Sequence, residues 1–163
     1  MEIWLLRHAA AEDRAPSGRD EDRPLTPEGA GQMERVARGL AALDPGIELV
    51  LVSPYRRARQ TAEAAARALQ LTKEVRESRA LEPGRDPREI LEELRAEDAA
   101  AVLLVGHEPY LGALLGLLVS GESGLEIPLK KASLARVSWD GSGRGLLKIF
   151  LPAGALERLA GRR

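Results

Sequence analysis

An α/β sandwich built on a mostly parallel sheet is the fold this sequence predicts, and three observations carry the prediction. Continuous apolar runs of strand length recur at residues 3–6, 49–52 and 101–105, and runs without polar alternation suit strands covered on both faces. Between them lie segments with apolar residues at helical spacing, opened by capping residues. Two late extended segments, 132–139 and 145–151, are joined by Asp140-Gly141-Ser142-Gly143 and read as an antiparallel hairpin at the edge of the sheet. Strands alternating with helices put helices on both faces, a three-layer sandwich.

The elements follow in order. The first apolar run stops abruptly at Arg7 and His8. In open α/β sheets ligands gather outside the carboxyl ends of the strands, so this pair stands where chemistry usually happens. Residues 12–23 hold Pro16, Gly18 and charges of both signs and read as a surface loop beside that strand end. Thr26 and Pro27 open a helix, the threonine capping free N–H groups and the proline losing nothing at the first helical position. Met33, Val36, Ala37, Leu40 and Leu43 give that helix one apolar stripe, ended by Pro45-Gly46. After the strand at 49–52, Ser53 or Pro54 marks the next helix start, with Arg56, Arg57 and Arg59 near its N-terminus and Ala62, Ala65, Ala66 and Leu69 facing the sheet. A weak strand is expected near 72–76, then a turn at Leu81-Glu82-Pro83-Gly84. Asp86-Pro87-Arg88-Glu89 has the form of a capping box for a helix through Ile90, Leu91 and Leu94. The strand at 101–105 runs into Gly106-His107-Glu108-Pro109, and residues 109–119 suit a buried helix in which Gly112 and Gly116 permit close approach.

Composition narrows the classes. A length of 163 residues suits a single domain, 1–163, with one real core. A net charge of -1 supplies no global basic field, so neither nucleic acid nor an anionic membrane is an expected partner. No run of about 20 apolar residues exists to span a bilayer, and the N-terminus enters a strand without a signal-peptide pattern; a cytoplasmic location is expected. The absence of cysteine excludes disulfides, thiolate nucleophiles and Cys-based zinc sites.

With only two histidines in the chain, both leaving buried strands at their carboxyl ends, a shared site is the better reading than two unrelated surface groups. Arginines at the same sheet end, several of them near a helix N-terminus, favour an anion. Guanidinium forks pair with the oxygens of a tetrahedral oxyanion while an imidazole attacks phosphorus, which describes a phosphate pocket. The rival, a histidine metal site, needs a carboxylate to complete the usual three protein ligands, and adjacent guanidinium groups repel a divalent cation. No metal and no cofactor is expected, and no glycine pattern of a nucleotide fold is present.

These residues resemble the signature of the histidine phosphatase, or phosphoglycerate mutase-like, superfamily. Its Arg-His pair closing the first strand is matched by Leu6-Arg7-His8. Its Ser-Pro-x-x-Arg-Ala-x-Gln-Thr-Ala segment is matched from Ser53 to Ala62 and selects Arg57 from the local arginines, and its Gly-His is matched by Gly106-His107. Asp22-Arg23-Pro24-Leu25-Thr26 with Gly29 is similar to the small SixA-type branch of phosphohistidine phosphatases. Ala9 stands where the superfamily usually has glycine, a variant resembling that branch. The family's acid, a Glu between the second and third elements, finds its candidate by position in Glu82, for which a solvated turn carboxylate is the other reading.

The resemblance implies His8 as the nucleophile that accepts the phosphoryl group, His107 as its electrostatic partner, and Arg7 and Arg57 as clamps on the transferring group, with water then releasing phosphate. It implies a phosphorylated partner, most naturally a protein bearing phosphohistidine. A small-molecule phosphomonoesterase is the alternative. A non-catalytic phosphoprotein-binding module is a further one, opposed by the intact His8, Arg57 and His107, and mutase activity is disfavoured because the long insertions that enclose a bisphosphate are missing.

Overall fold

Residues 3–6 have no polar side to show to water, and the chain buries them in the middle of a sheet. The computed structural model describes residues 1–71 and 74–161. In it, strand β1 (Glu2–Arg7) leads to helix α1 (Pro27–Ala42), β2 (Leu49–Val52), α2 (Arg56–Leu69), β3 (Val75–Glu77), α3 (Pro87–Arg95), β4 (Ala101–Gly106), α4 (Tyr110–Ser120), β5 (Leu134–Ser138), β6 (Leu146–Leu151) and α5 (Ala153–Ala160), with short 3-10 turns at Asp20–Asp22 and Arg79–Leu81. The six strands form one sheet in the order β3-β2-β4-β1-β5-β6. β3, β2, β4 and β1 run parallel, and β5 and β6 pair antiparallel at one edge, as the apolar runs and the late hairpin predict.

Side-chain alternation along each strand feeds two cores. Trp4 and Leu6 with Leu103 and Val105 meet α1, α2 and α5, while Ile3 and Leu5 with Val102 and Leu104 meet α3 and α4. Both faces of the parallel strands are therefore covered, the arrangement for which unbroken apolar runs are suited. The predicted caps form: the Thr26 hydroxyl accepts from Gly29 N–H at 2.9 Å with Pro27 at N1, and Asp86 and Glu89 close a capping box on α3.

Three departures from expectation have physical reasons. α2 begins at Arg56, with Tyr55 at its N-cap position and no side-chain cap; the Ser53 hydroxyl accepts from Tyr55 N–H at 3.4 Å, just short of the helix, and lies against His107. The loop after β1 is more ordered than its charge suggests: Ala11 bridges to Leu25, and Arg23 donates to the Glu12 carbonyl at 2.6 Å. The third is α5, for which no expectation was drawn; it packs against α1 through Leu156, fully buried. The weak strand expected near 72–76 is observed at Val75–Glu77; Thr72 and Lys73 lie outside the described residues. No helix among the described residues is long and apolar enough to cross a membrane.

The α1–α5 contact depends on one missing methyl. A Cβ on Gly39 would stand 2.0 Å from the Leu156 carbonyl oxygen, so the two helices touch backbone to backbone there. Alanine is a better helix former than glycine by about 1 kcal/mol, yet Gly39→Ala must push α5 off α1. We expect net destabilisation of about 1 to 3 kcal/mol, measured by urea unfolding; a variant as stable as the parent would show that α5 yields without cost.

Candidate active site

Register brings the site together. Arg7 of β1 pairs opposite Gly106 of β4, and Val52 of β2 opposite Val105. The ladder continues one step past the strands, with His8 N–H donating to the Gly106 carbonyl and Ser53 N–H to the Val105 carbonyl, each at 3.0 Å. Neighbouring strands lie about 4.8 Å apart, and the His8 and His107 rings stand 5.1 Å apart between centroids.

Alternation then divides the groups between the two faces. Arg7 continues the series of Ile3 and Leu5 towards α4 and donates from Nη1 to the Leu129 carbonyl at 2.7 Å. That carbonyl is in place because segment 125–129 lies flat on α4: a Cβ on Gly116 would stand 1.8 Å from the Leu125 carbonyl oxygen, and Glu108 accepts from Leu129 N–H at 3.0 Å. Arg7 Nε is buried and has no hydrogen-bond partner among the described residues. Burial draws the Arg7 guanidinium below its usual range, with the Glu108 carboxylate opposing.

His8 continues the series of Trp4 and Leu6 towards α2. Its Nδ1 lies 2.7 Å from the Ala9 carbonyl, which can only accept, so Nδ1 carries the proton and the lone pair is on Nε2. Ala9, buried where the superfamily signature usually has glycine, donates its N–H to Thr61 Oγ1 at 3.3 Å, and Thr61 donates to the Arg57 carbonyl at 2.8 Å. The turn after His8 is thus tied to the first turn of α2.

The arginines of α2 separate by burial. Arg56 and Arg59 are exposed, Arg59 pairing with Glu77, whereas Arg57 is 5% exposed. Arg57 donates from Nη1 to the Asp20 carbonyl at 2.8 Å and from Nη2 to Asp20 Oδ2 at 3.0 Å, and its guanidinium lies 5.0 Å from the Tyr55 ring centroid. Tyr55 meets His107 edge-on at 5.1 Å. His107 Nε2 is 2.8 Å from Ser53 Oγ, while its Nδ1 is buried with no partner among the described residues.

Both imidazoles are held neutral. Burial pushes His8 down to about 4, against its Ala9 hydrogen bond and helped by the charges of Arg57, Arg7 and Lys131. Burial takes His107 to about 3, with His8 and Arg57 adding and Asp20 opposing. A pair of neutral imidazoles between the half-buried Arg7 and the buried Arg57 is a receptor for a compact anion, and it presents a nitrogen lone pair to that anion at neutral pH.

Arg7, His8, Arg57 and His107 therefore meet at one sheet end. Glu82 lies at the rim, half-buried at the end of the Arg79–Leu81 turn. Its charge raises the Tyr55 phenol, behind burial and the charges of Asp20 and Glu21, but no hydrogen bond joins it to the other four residues. Sequence reasoning missed Ser53 as the partner of His107, Tyr55 as the ring between His107 and Arg57, and Asp20 as the anion on Arg57. Ser53 and Tyr55 sat inside a motif already noticed, and Asp20 only in a charged loop. Among the described residues no group of three or more His, Cys, Asp or Glu side chains is gathered to hold a metal ion.

The depressed imidazoles give stability a pH dependence of definite sign. Above about pH 6.5 both are neutral in either state and their contribution is fully present. As pH falls below that, the unfolded chain binds protons the folded site refuses until about 4 for His8 and about 3 for His107, so stability drops by about 1.4 kcal/mol per pH unit per imidazole. Denaturant unfolding between about pH 7 and about pH 5 should show the decline, reduced when His8→Asn and His107→Asn are combined. A flat profile in the parent would contradict a buried neutral pair.

Comparison with known proteins agrees with this geometry. Residues 3–82 match the model of the histidine phosphatase superfamily, branch 1. The chain is 35% identical over 148 residues to the phosphohistidine phosphatase SixA of Escherichia coli K12, covering 89% of each, and 38% identical over 137 residues to an uncharacterized protein of Picosynechococcus, covering 82% of each. Its fold superposes on the protein histidine phosphatase SixA complexed with tungstate with a TM-score of 0.86 at 31% identity, over 96% of this chain and 99% of that one. With a shared signature, fold and near full-length similarity, the chain belongs to the histidine phosphatase superfamily and is a phosphatase.

Proposed function

We propose that this phosphatase takes its phosphoryl group from phosphohistidine on proteins, carries it on His8, and works as a single cytoplasmic domain without a metal ion. The observation that carries the reading is the neutral, oriented His8: its Nδ1 proton is committed to the Ala9 carbonyl at 2.7 Å, which leaves Nε2 as a nucleophile at neutral pH. Arg7 and Arg57 offset the charge of the phosphoryl oxygens, the part a metal ion plays elsewhere. His107, with an unpartnered Nδ1, adds a hydrogen bond to the transferring group. Water then attacks phosphorus and frees His8. The E. coli relative is named for phosphohistidine, and the tungstate held by the structural relative is a tetrahedral oxyanion like phosphate.

Phosphohistidine is labile in acid and durable in base. Quenching with a labelled phosphohistidine protein should therefore leave base-stable, acid-labile label on the enzyme, absent in His8→Ala and undiminished by a chelator. Label on a serine or carboxylate, or labelling that requires added metal, would overturn the mechanism.

Glu82 separates this substrate from a small phosphoester. An alkyl ester leaves as a basic alkoxide and needs a positioned acid, worth about 10² to 10⁴ in rate, whereas an imidazole of ordinary pKa near 6.5 departs with little help. Glu82→Gln should spare phosphohistidine hydrolysis and depress alkyl phosphate hydrolysis, while Arg57→Ala should harm both, read as kcat/KM on each substrate. Equal, large losses for Glu82→Gln would point to a small-molecule phosphomonoesterase.

A further inference from the structure

Displacement at phosphorus is in line, so a buried nucleophile sends the leaving group outward. His8 is 7% exposed, and the group departing from phosphorus sits between it and solvent. Asp20 stands on that outer side. Its side chain is 54% exposed while that of Arg57, which it holds, is 7% exposed, and two hydrogen bonds, one through its carbonyl and one through its carboxylate, fasten it there. Arg23, from the same loop, grips the other carboxylate oxygen at 2.7 Å.

Resting on the phosphohistidine reading, we propose that Asp20 is a specificity-determining residue: anchored on Arg57 at the mouth of the pocket, its carboxylate stabilises the protonated ring of the substrate histidine, so that this ring departs as neutral imidazole rather than as an imidazolate anion. In the step, the Nε2 lone pair of His8 forms the new N–P bond, and the old P–N bond breaks with its electron pair staying on the substrate nitrogen. The proton on the other nitrogen of that ring does not move. The positive charge passes from the substrate ring to the His8 ring, whose Nδ1–H rests on the Ala9 carbonyl.

Asp20 acts here as a fixed charge and not as a proton donor. Its hydrogen bond with Arg23, and after burial's opposition that with Arg57, hold its carboxyl below the usual range. Its field reaches inward, since it opposes the depression of His107 and raises the Tyr55 phenol. At the mouth Glu21 and Glu82 act with it, Arg57 and Arg23 are paired to it, and Lys131, from the loop before β5, acts against it beside His8. A free imidazole is mostly unprotonated above about pH 7, so a carboxylate that raises the ring by about one pKa unit enlarges the reactive fraction by up to about tenfold.

The test is kcat/KM between about pH 6 and about pH 9 on a phosphohistidine peptide and on p-nitrophenyl phosphate, whose phenolate leaves without a proton, for the parent, Asp20→Asn and Asp20→Glu. Asparagine keeps an oxygen for Arg57 while it removes the charge and, with the second carboxylate oxygen, the acceptor of Arg23. We expect Asp20→Asn to lose about three- to tenfold more on the peptide than on the aryl ester above about pH 7, the gap closing towards about pH 6, and Asp20→Glu to recover most of it. Equal losses on both substrates at every pH would mean that Asp20 merely holds Arg57 and would overturn the proposal, as would no loss on either. A parent enzyme that hydrolyses the aryl ester and leaves the peptide intact would instead overturn the substrate reading beneath it.

Discussion

The level ending of three neighbouring strands is the constraint on which the rest of the molecule depends. Because β4 lies between β1 and β2 with Gly106 opposite Arg7 and Val105 opposite Val52, the residues that follow each strand emerge at one height. A one-residue slip in either pairing would reverse which face each side chain takes, sending His8 away from α2 and Arg7 away from Leu129. The two apolar cores prevent that slip, since each strand buries alternate residues on opposite faces and any shift would exchange all of them at once.

The electrostatic character of the pocket follows from that placement. Two imidazoles buried 5.1 Å from each other and flanked by guanidinium groups both stay neutral, neither taking up a second proton at neutral pH. On the proposed mechanism the fold thus supplies a nucleophile that is ready without a general base, beside cations that stay charged at neutral pH. Both arginines are tethered: Arg7 by the Leu129 carbonyl and Arg57 by Asp20. Holding a guanidinium in one rotamer before the anion arrives removes part of the entropy lost on binding.

Loops complete what the sheet begins, and each is held by contacts far from it in sequence. Gln60 of α2 accepts from Leu25 N–H at 2.7 Å, fastening the end of the loop that carries Asp20. A Cβ on Gly29 would meet the Ala10 carbonyl oxygen at 2.1 Å, so the start of α1 sits directly on the turn after His8. The rim is consequently built from the loop after β1, the turn after β2, the turn after β3 and the segment before β5, and it carries charges of both signs.

The sequence by itself determined the parallel sheet, its helices and late hairpin, because unbroken apolar runs and helical stripes are statements about burial that each segment makes locally. It also marked Arg7, His8 and His107 as candidates by their strand ends, and Arg57 through the motif that resembles the histidine phosphatase signature, without reference to distance. Tertiary structure alone decided the remainder. Ser53 reads locally as a helix cap, yet its hydroxyl lies 2.8 Å from His107 Nε2, a residue 54 positions away, and α2 starts only at Arg56. α5 is short, and what places it is the contact with Gly39 and its neighbours on α1, which is invisible until the chain closes. Asp20 is one carboxylate among several in a charged loop, and only the approach of η-nitrogens from a helix 37 residues away singles it out. Local patterns encode which side chains avoid water, whereas the partner of a polar group is set by through-space geometry that no short stretch of sequence contains.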